Sequence, residues 1–88
     1  MRVMVVYRDE SDHARAVYNF LRDYESQTGR KLTTLDPDSR DGADFCHLYD
    51  VVQYPSVVAV SDNGMLQHMW QGLPLPLINE VNYYDKDF

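Results

Sequence analysis

Residues able to do chemistry fall in a few places along the 88-residue chain. Asp9, Glu10, Asp12 and His13 share one short stretch. A histidine among carboxylates has the composition of a general acid–base pair, and it also suits a cation. The same acids fit a solvated helix start, where carboxylates complement the positive end of the helix dipole. Cys46 is the sole cysteine, so one chain can hold neither an internal disulfide nor a dithiol centre. Asp44 and Asp50 beside it would raise a thiol pKa, and a helix interior favours packing over nucleophilic work. His13, His47 and His68 lie on different expected elements without metal-ligand spacing, so no metal and no cofactor is expected. Asp36-x-Asp38-x-Arg40-Asp41 opens like a calcium loop. Arg40 and Asp41 then stand where an oxygen ligand and a glycine are required, and His47 replaces the closing glutamate. Turn and helix-cap chemistry accounts for these acids better.

The elements that would position these residues are legible in the hydrophobic pattern. Residues 3–7 are a continuous, mostly β-branched apolar run, the mark of a strand covered on both faces. Ser11 offers a hydroxyl to cap a following helix. Ala14, Val17, Tyr18, Leu21 and Tyr24 then recur at spacings of three and four, and Gly29 is the stop signal, with Arg22 and Arg30 near the negative end. Residues 32–35 read as a second strand, closed by Asp36-Pro37-Asp38. Asp41 is the expected cap of a second, shorter helix whose inward face is Ala43, Phe45 or Cys46, Leu48 and Tyr49. Ser56-Val57-Val58-Ala59-Val60 is another buried-strand run. Asp62-Asn63-Gly64 predicts a hairpin with positive φ at both turn centres, returning through residues 65–70. Gly72 breaks that strand, Pro74 and Pro76 introduce a last helix with Leu77, Ile78, Val81 and Tyr84 inward, and residues 85–88 are expected to fray. The order β-α-β-α-β-β-α predicts a single domain over residues 1–88. Its α/β sheet is mixed and four-stranded with helices on both faces, and strands separated by a helix are expected to pair in parallel.

Charge narrows the function classes. Residues 1–40 carry seven bases and seven acids, while residues 41–88 carry one base and seven acids, so the net charge of −6 belongs to the second half. A phosphate backbone needs a row of Lys and Arg to displace its counterions, and none exists here. An anionic membrane surface would be repelled as well. Neither nucleic-acid nor membrane binding is expected. With no apolar run long enough to span a bilayer and no signal-peptide pattern, the cytoplasm is the expected location.

Residues 48–60, running Leu-Tyr-Asp-Val-Val-Gln-Tyr-Pro-Ser-Val-Val-Ala-Val, together with Asp62-Asn63-Gly64 and Gly72, resemble the helix exit, cis-proline, core strand, hairpin and final glycine of the thioredoxin fold. The resemblance extends over nearly the whole chain in element order, without the extra N-terminal strand and helix of a full thioredoxin. That family carries Cys-x-x-Cys just after the first strand. Aligned on Tyr7, those positions fall near Ser11 or Asp12 and near Ala14 or Arg15, none of them a thiol. The chain therefore resembles thioredoxin-like proteins that keep the scaffold without the redox pair. The resemblance implies a cis Tyr54–Pro55 bond and an open backbone beside it that pairs with an extended peptide. The expected function is non-enzymatic protein or peptide binding at Ser11, Asp12, His13, Tyr54, Pro55, Gln71 and Gly72. Two alternatives stand beside it: a small acid–base enzyme or ligand-binding protein using His13 with Asp9, Glu10 or Asp12, and self-association through the 65–70 edge strand or the aromatic C-terminus.

Overall fold

A computed structural model describes residues 2–85. Its elements are β1 (Arg2–Val6), α1 (Ala14–Thr28), β2 (Thr33–Leu35), α2 (Arg40–Tyr49), β3 (Ser56–Val60), β4 (Leu66–Gln71) and α3 (Ile78–Tyr84). The four strands form one mixed sheet in the order β2-β1-β3-β4. The two runs with unbroken apolar character, β1 and β3, take its centre. Every residue of β3 is buried, as are Val3, Met4, Val5 and Val6 of β1. Alternation along each strand splits these residues between two cores. Val3, Val5, Val57 and Ala59 face Val17, Phe20 and Tyr24 of α1 and Val81 of α3. Val6, Val58 and Val60 face Cys46 of α2 and Val51.

β1 and β2 pair in parallel, as a strand–helix–strand crossover requires. β3 departs from expectation: it does not join β2 but lies antiparallel against β1. The reason is positional. Val6 is in register with Leu35, which ends β2, and with Ser56, which begins β3. Helix α2 and its exit thus return the chain to the level at which β2 finished, and a strand starting there must run the other way.

Local chemistry corrects several expected details. Helix α1 starts at Ala14 with His13 in the cap position and no side-chain cap, because the Ser11 hydroxyl donates to the Arg8 carbonyl instead (2.5 Å). Phe20 rather than Tyr18 completes the buried stripe, and Tyr18 is 48% exposed with its hydroxyl donating to Asp9. Gly29 ends the helix in the left-handed region, φ 74°, as expected of a stop signal. No base occupies the last turn of α1, and Arg30 turns to Asp85 instead. Ser39, not Asp41, caps α2, its hydroxyl accepting from the Gly42 amide (3.0 Å). Gly42 and Cys46 form the buried face of α2, with Phe45 and Tyr49 flanking it, while Ala43 and Leu48 are exposed. In the hairpin only Gly64 has positive φ (86°). Its amide donates to the Ser61 carbonyl and the Ser61 amide to Met65, which makes the three-residue turn with a left-handed glycine instead of a two-residue Asn-Gly turn. Leu77 precedes α3 and is exposed, leaving Val81, Ile78 and Tyr84 as the inward residues. Asp85 does not fray. It is buried, accepting from the Tyr24 hydroxyl (2.8 Å) and from Arg30 (3.1 Å). Residues 86–88 of the expected frayed tail lie outside the described residues.

Two substitutions test this packing. A Cβ at Gly42 would sit 1.8 Å from the Asp36 carbonyl oxygen. Gly42→Ala should therefore cost about 1–3 kcal/mol or more by forcing the 36–39 turn away from α2, read as a lowered urea midpoint. Tyr24→Phe removes a charge-assisted hydrogen bond from a buried carboxylate and should cost about 2 kcal/mol in the same measurement.

Candidate functional site

The register at Val6 decides where the site lies. Since β1 and β2 end, and β3 begins, at one level of the sheet, the segments beyond them converge at one end of the molecule. These are residues 7–13 after β1, the 36–39 turn after β2, and Gln53, Tyr54 and Pro55 before β3. Gln71 and Gly72 at the end of β4 join them, because Gln71 pairs with Ser56.

Two groups of the expected residues are held there by different means. Tyr54, Pro55, Gln71 and Gly72 form one backbone-bonded unit. The Tyr54–Pro55 bond is cis, Pro55 is buried, and its carbonyl accepts from the Gly72 amide (2.8 Å). The Gln71 side chain carries the connection further, its Oε1 accepting from the amides of Val52 (3.0 Å) and Gln53 (3.1 Å). Gly72 is required here, with φ 78° and the Gln53 side chain 2.8 Å from where a Cβ would stand. Ser56 is anchored through its hydroxyl to the Gln53 carbonyl. The Tyr54 main chain is different. Among the described residues neither its amide nor its carbonyl makes a hydrogen bond.

Ser11 and His13 form the second unit, organised by Arg8. The Arg8 amide donates to His13 Nε2 (3.2 Å), and the Arg8 carbonyl accepts from Ser11. His13 therefore presents Nε2 as an acceptor within its own loop. It makes no hydrogen bond to Asp9, Glu10 or Asp12 among the described residues. Asp9 is instead the acceptor of the Tyr18 hydroxyl (2.9 Å), and Asp12 is exposed. Tyr7 packs edge-on against Tyr18, and burial together with Asp9 pushes its phenol up to about 12.

Arg8, which sequence reasoning passed over, joins the two units. Its guanidinium lies 4.6 Å from the centre of the Tyr54 ring and forms a two-point bond to Asp38, at 2.8 and 3.1 Å. The hydrogen bond from Arg8 holds the Asp38 carboxyl below its ordinary value. A signal for this exists in the sequence. Parallel neighbouring strands end side by side, so a base after the first and acids after the second are brought together. Between these loops lies a cleft of about 340 Å³ lined by Arg8, Asp9, Glu10, Asp36 and Asp38, one base among four acids.

Cys46 sits behind this end in the α2 core, buried, and burial pushes its thiol up. The flanking Asp44 and Asp50 are not the cause. The Tyr54 hydroxyl and Arg8 act on the thiol in the opposite direction, lowering it, and burial outweighs them. No group of three or more potential ligands gathers into a metal centre among the described residues. No described helix is long and apolar enough to cross a membrane.

Two solution measurements follow from this geometry. Cys46 should react with Ellman's reagent much more slowly in the native chain than in urea, and equal rates would mean an accessible thiol. Asp38, with its folded pKa depressed, contributes stability above its unfolded pKa and loses it as pH falls through the folded value. NMR titration should place Asp38 below the ordinary 3.8, and Arg8→Gln should return it toward that value. Both groups are exposed, so the change in overall stability should be small.

No protein-family model matches the chain, and no curated protein sequence matches it. Among solved structures it is similar to thioredoxin 1 of the thermophilic eubacterium Thermosipho africanus TCF52B. The TM-score is 0.64 with 10% identity over 93% of this chain and 88% of that one. At that identity the likeness is one of fold. The chain has a thioredoxin-like fold with a single cysteine, and hence no Cys-x-x-Cys motif.

Proposed function

We propose that this chain is a non-catalytic, redox-inactive thioredoxin-fold domain that binds an extended protein segment beside Tyr54 and Pro55. The observation that supports this reading is the Tyr54 main chain, whose amide and carbonyl are unpaired among the described residues at the mouth of β3. An extended peptide can pair with such a backbone as an added strand. Its neighbouring side chains would meet the Arg8–Tyr54 stack and the acidic cleft of Asp9, Glu10, Asp36 and Asp38. A lysine or arginine in the bound segment fits that charge. Dithiol exchange has no resolving thiol within the chain, and Cys46 is buried with a raised pKa.

The test is peptide selection from a displayed random library, with the bound site located by amide chemical shifts. Selected peptides should be extended and carry a basic residue, and should shift Tyr54, Ser56 and residues 8–13. Tyr54→Asp, at matched folding, should weaken them about tenfold or more. Peptides that shift other surfaces, or bind Tyr54→Asp as well as the parent chain, contradict the reading. The chain should also fail to reduce insulin disulfides with dithiothreitol as electron source.

A further inference from the structure

A second concave site lies on the α1/α3 face, away from Arg8 and Tyr54. His68 and Trp70 alternate on β4 and so project from the same side of that edge strand. Tyr83, Tyr84 and Glu80 come from α3, with Glu80 one turn before both tyrosines. The five side chains line an open cleft of about 240 Å³. Its walls are rings set at angles to one another. The Trp70 and Tyr84 centroids are 5.6 Å apart at 75°, and those of Tyr83 and Tyr84 are 5.0 Å apart at 83°. His68 lies 4.3 Å from Trp70 and stacks on Tyr84 at 5.4 Å. Trp70 and Tyr84 are rooted in the hydrophobic core below, whereas His68 and Tyr83 are exposed. Glu80 is held in place, because its Oε1 accepts from the Leu77 amide (3.1 Å).

We infer that this cleft binds a quaternary ammonium group, a trimethylammonium of the kind carried by choline. Ring faces are negative, and Trp70, Tyr83 and Tyr84 pack edge to face along the cleft they line, so a cation seated there lies against aromatic rings on more than one side. Glu80 adds a negative charge to the lining itself. A primary ammonium ion would have to exchange strong hydration for hydrogen bonds, and among the described residues Glu80 is the only carboxylate in the lining. A methylated ammonium has an apolar coat and asks only for aromatic faces and a nearby anion. The volume lies below the range of about 300–1,000 Å³ typical of drug-sized ligands, which suits a single headgroup. The site is independent of the Tyr54 reading.

Trp70 is the only tryptophan, so its emission reports on this cleft directly. Choline chloride titrated against matched sodium chloride should change Trp70 emission saturably, with half-saturation in the millimolar range. The uncharged isostere 3,3-dimethylbutan-1-ol should bind about fivefold more weakly or worse. Tyr83→Leu alters an exposed ring, and Glu80→Gln keeps the side chain's shape. Each should weaken choline about threefold or more, with circular dichroism unchanged. Nε-trimethyl-lysine amide separates a protein side chain from a free small molecule as the source of the group. Tighter binding by either one supports the trimethylammonium site. Equal affinity for the uncharged isostere, linear quenching no greater than that of N-acetyltryptophanamide, or unchanged binding in both variants would overturn it.

Discussion

Val6 sits in register with Leu35 on one side and Ser56 on the other, and most of the molecule's functional geometry depends on that shared level. It exists because β1 and β3 are apolar on both faces and must be covered twice, by α1 and α3 on one side and α2 on the other. Burying two such strands together places them side by side at the centre, and the return of α2 to the end of β2 sets β3 antiparallel. The loops that follow β1 and β2 and the turn that precedes β3 then meet at one end. No residue of the site has to be drawn there by a strong interaction of its own.

The bonds within that end are correspondingly modest in kind. Arg8 touches Tyr54 through its face and Asp38 through a two-point ion pair, both near solvent and open to screening by salt. Such contacts orient loops more than they stabilise the fold. The backbone unit of Pro55 and Gly72 is firmer, since Pro55 is buried and its carbonyl accepts from the Gly72 amide. Tyr54 stands between the two, with its ring packed and its main chain unpaired among the described residues. Under the proposed binding, a surface made this way would surrender little entropy of its own loops when a segment docks.

Much of this was legible in the sequence where burial is total or the backbone is unusual. Residues 3–7 and Ser56–Val60 announce central strands because both faces are apolar, and Gly29 and Gly64 mark left-handed positions. Side-chain type is a poorer guide to direction along the helices. Gly42 carries no hydrophobic signal, yet it is buried against the Asp36 carbonyl, so the apolar pattern finds Cys46, Phe45 and Tyr49 on the inward side of α2 but points to the exposed Ala43 and Leu48 in place of Gly42. Tyr18 flanks the α1 stripe on the side where Asp9 can take its hydroxyl, leaving Phe20 to go inside. Asp85 is buried through partners 55 and 61 residues distant, which no local pattern carries. Of the candidate site, the Tyr54, Pro55, Gln71 and Gly72 group followed from resemblance. The role of Arg8 follows from the parallel pairing of β1 and β2, which the strand–helix–strand order implies, but which acid it reaches, Asp38 and not Asp36, is set by loop geometry that no local pattern carries.

The proposed binding depends on a Tyr54 backbone that stays unpaired, among the described residues, at the entrance to β3. Amide hydrogen exchange by NMR on the free chain reads this most directly. The Tyr54 amide should exchange at a rate near that of an unstructured peptide, while Val57 and Val58, a few residues along, exchange only through global unfolding. Protection of Tyr54 equal to that of Val58 would mean that its amide is already bonded within the fold and has nothing to offer a partner.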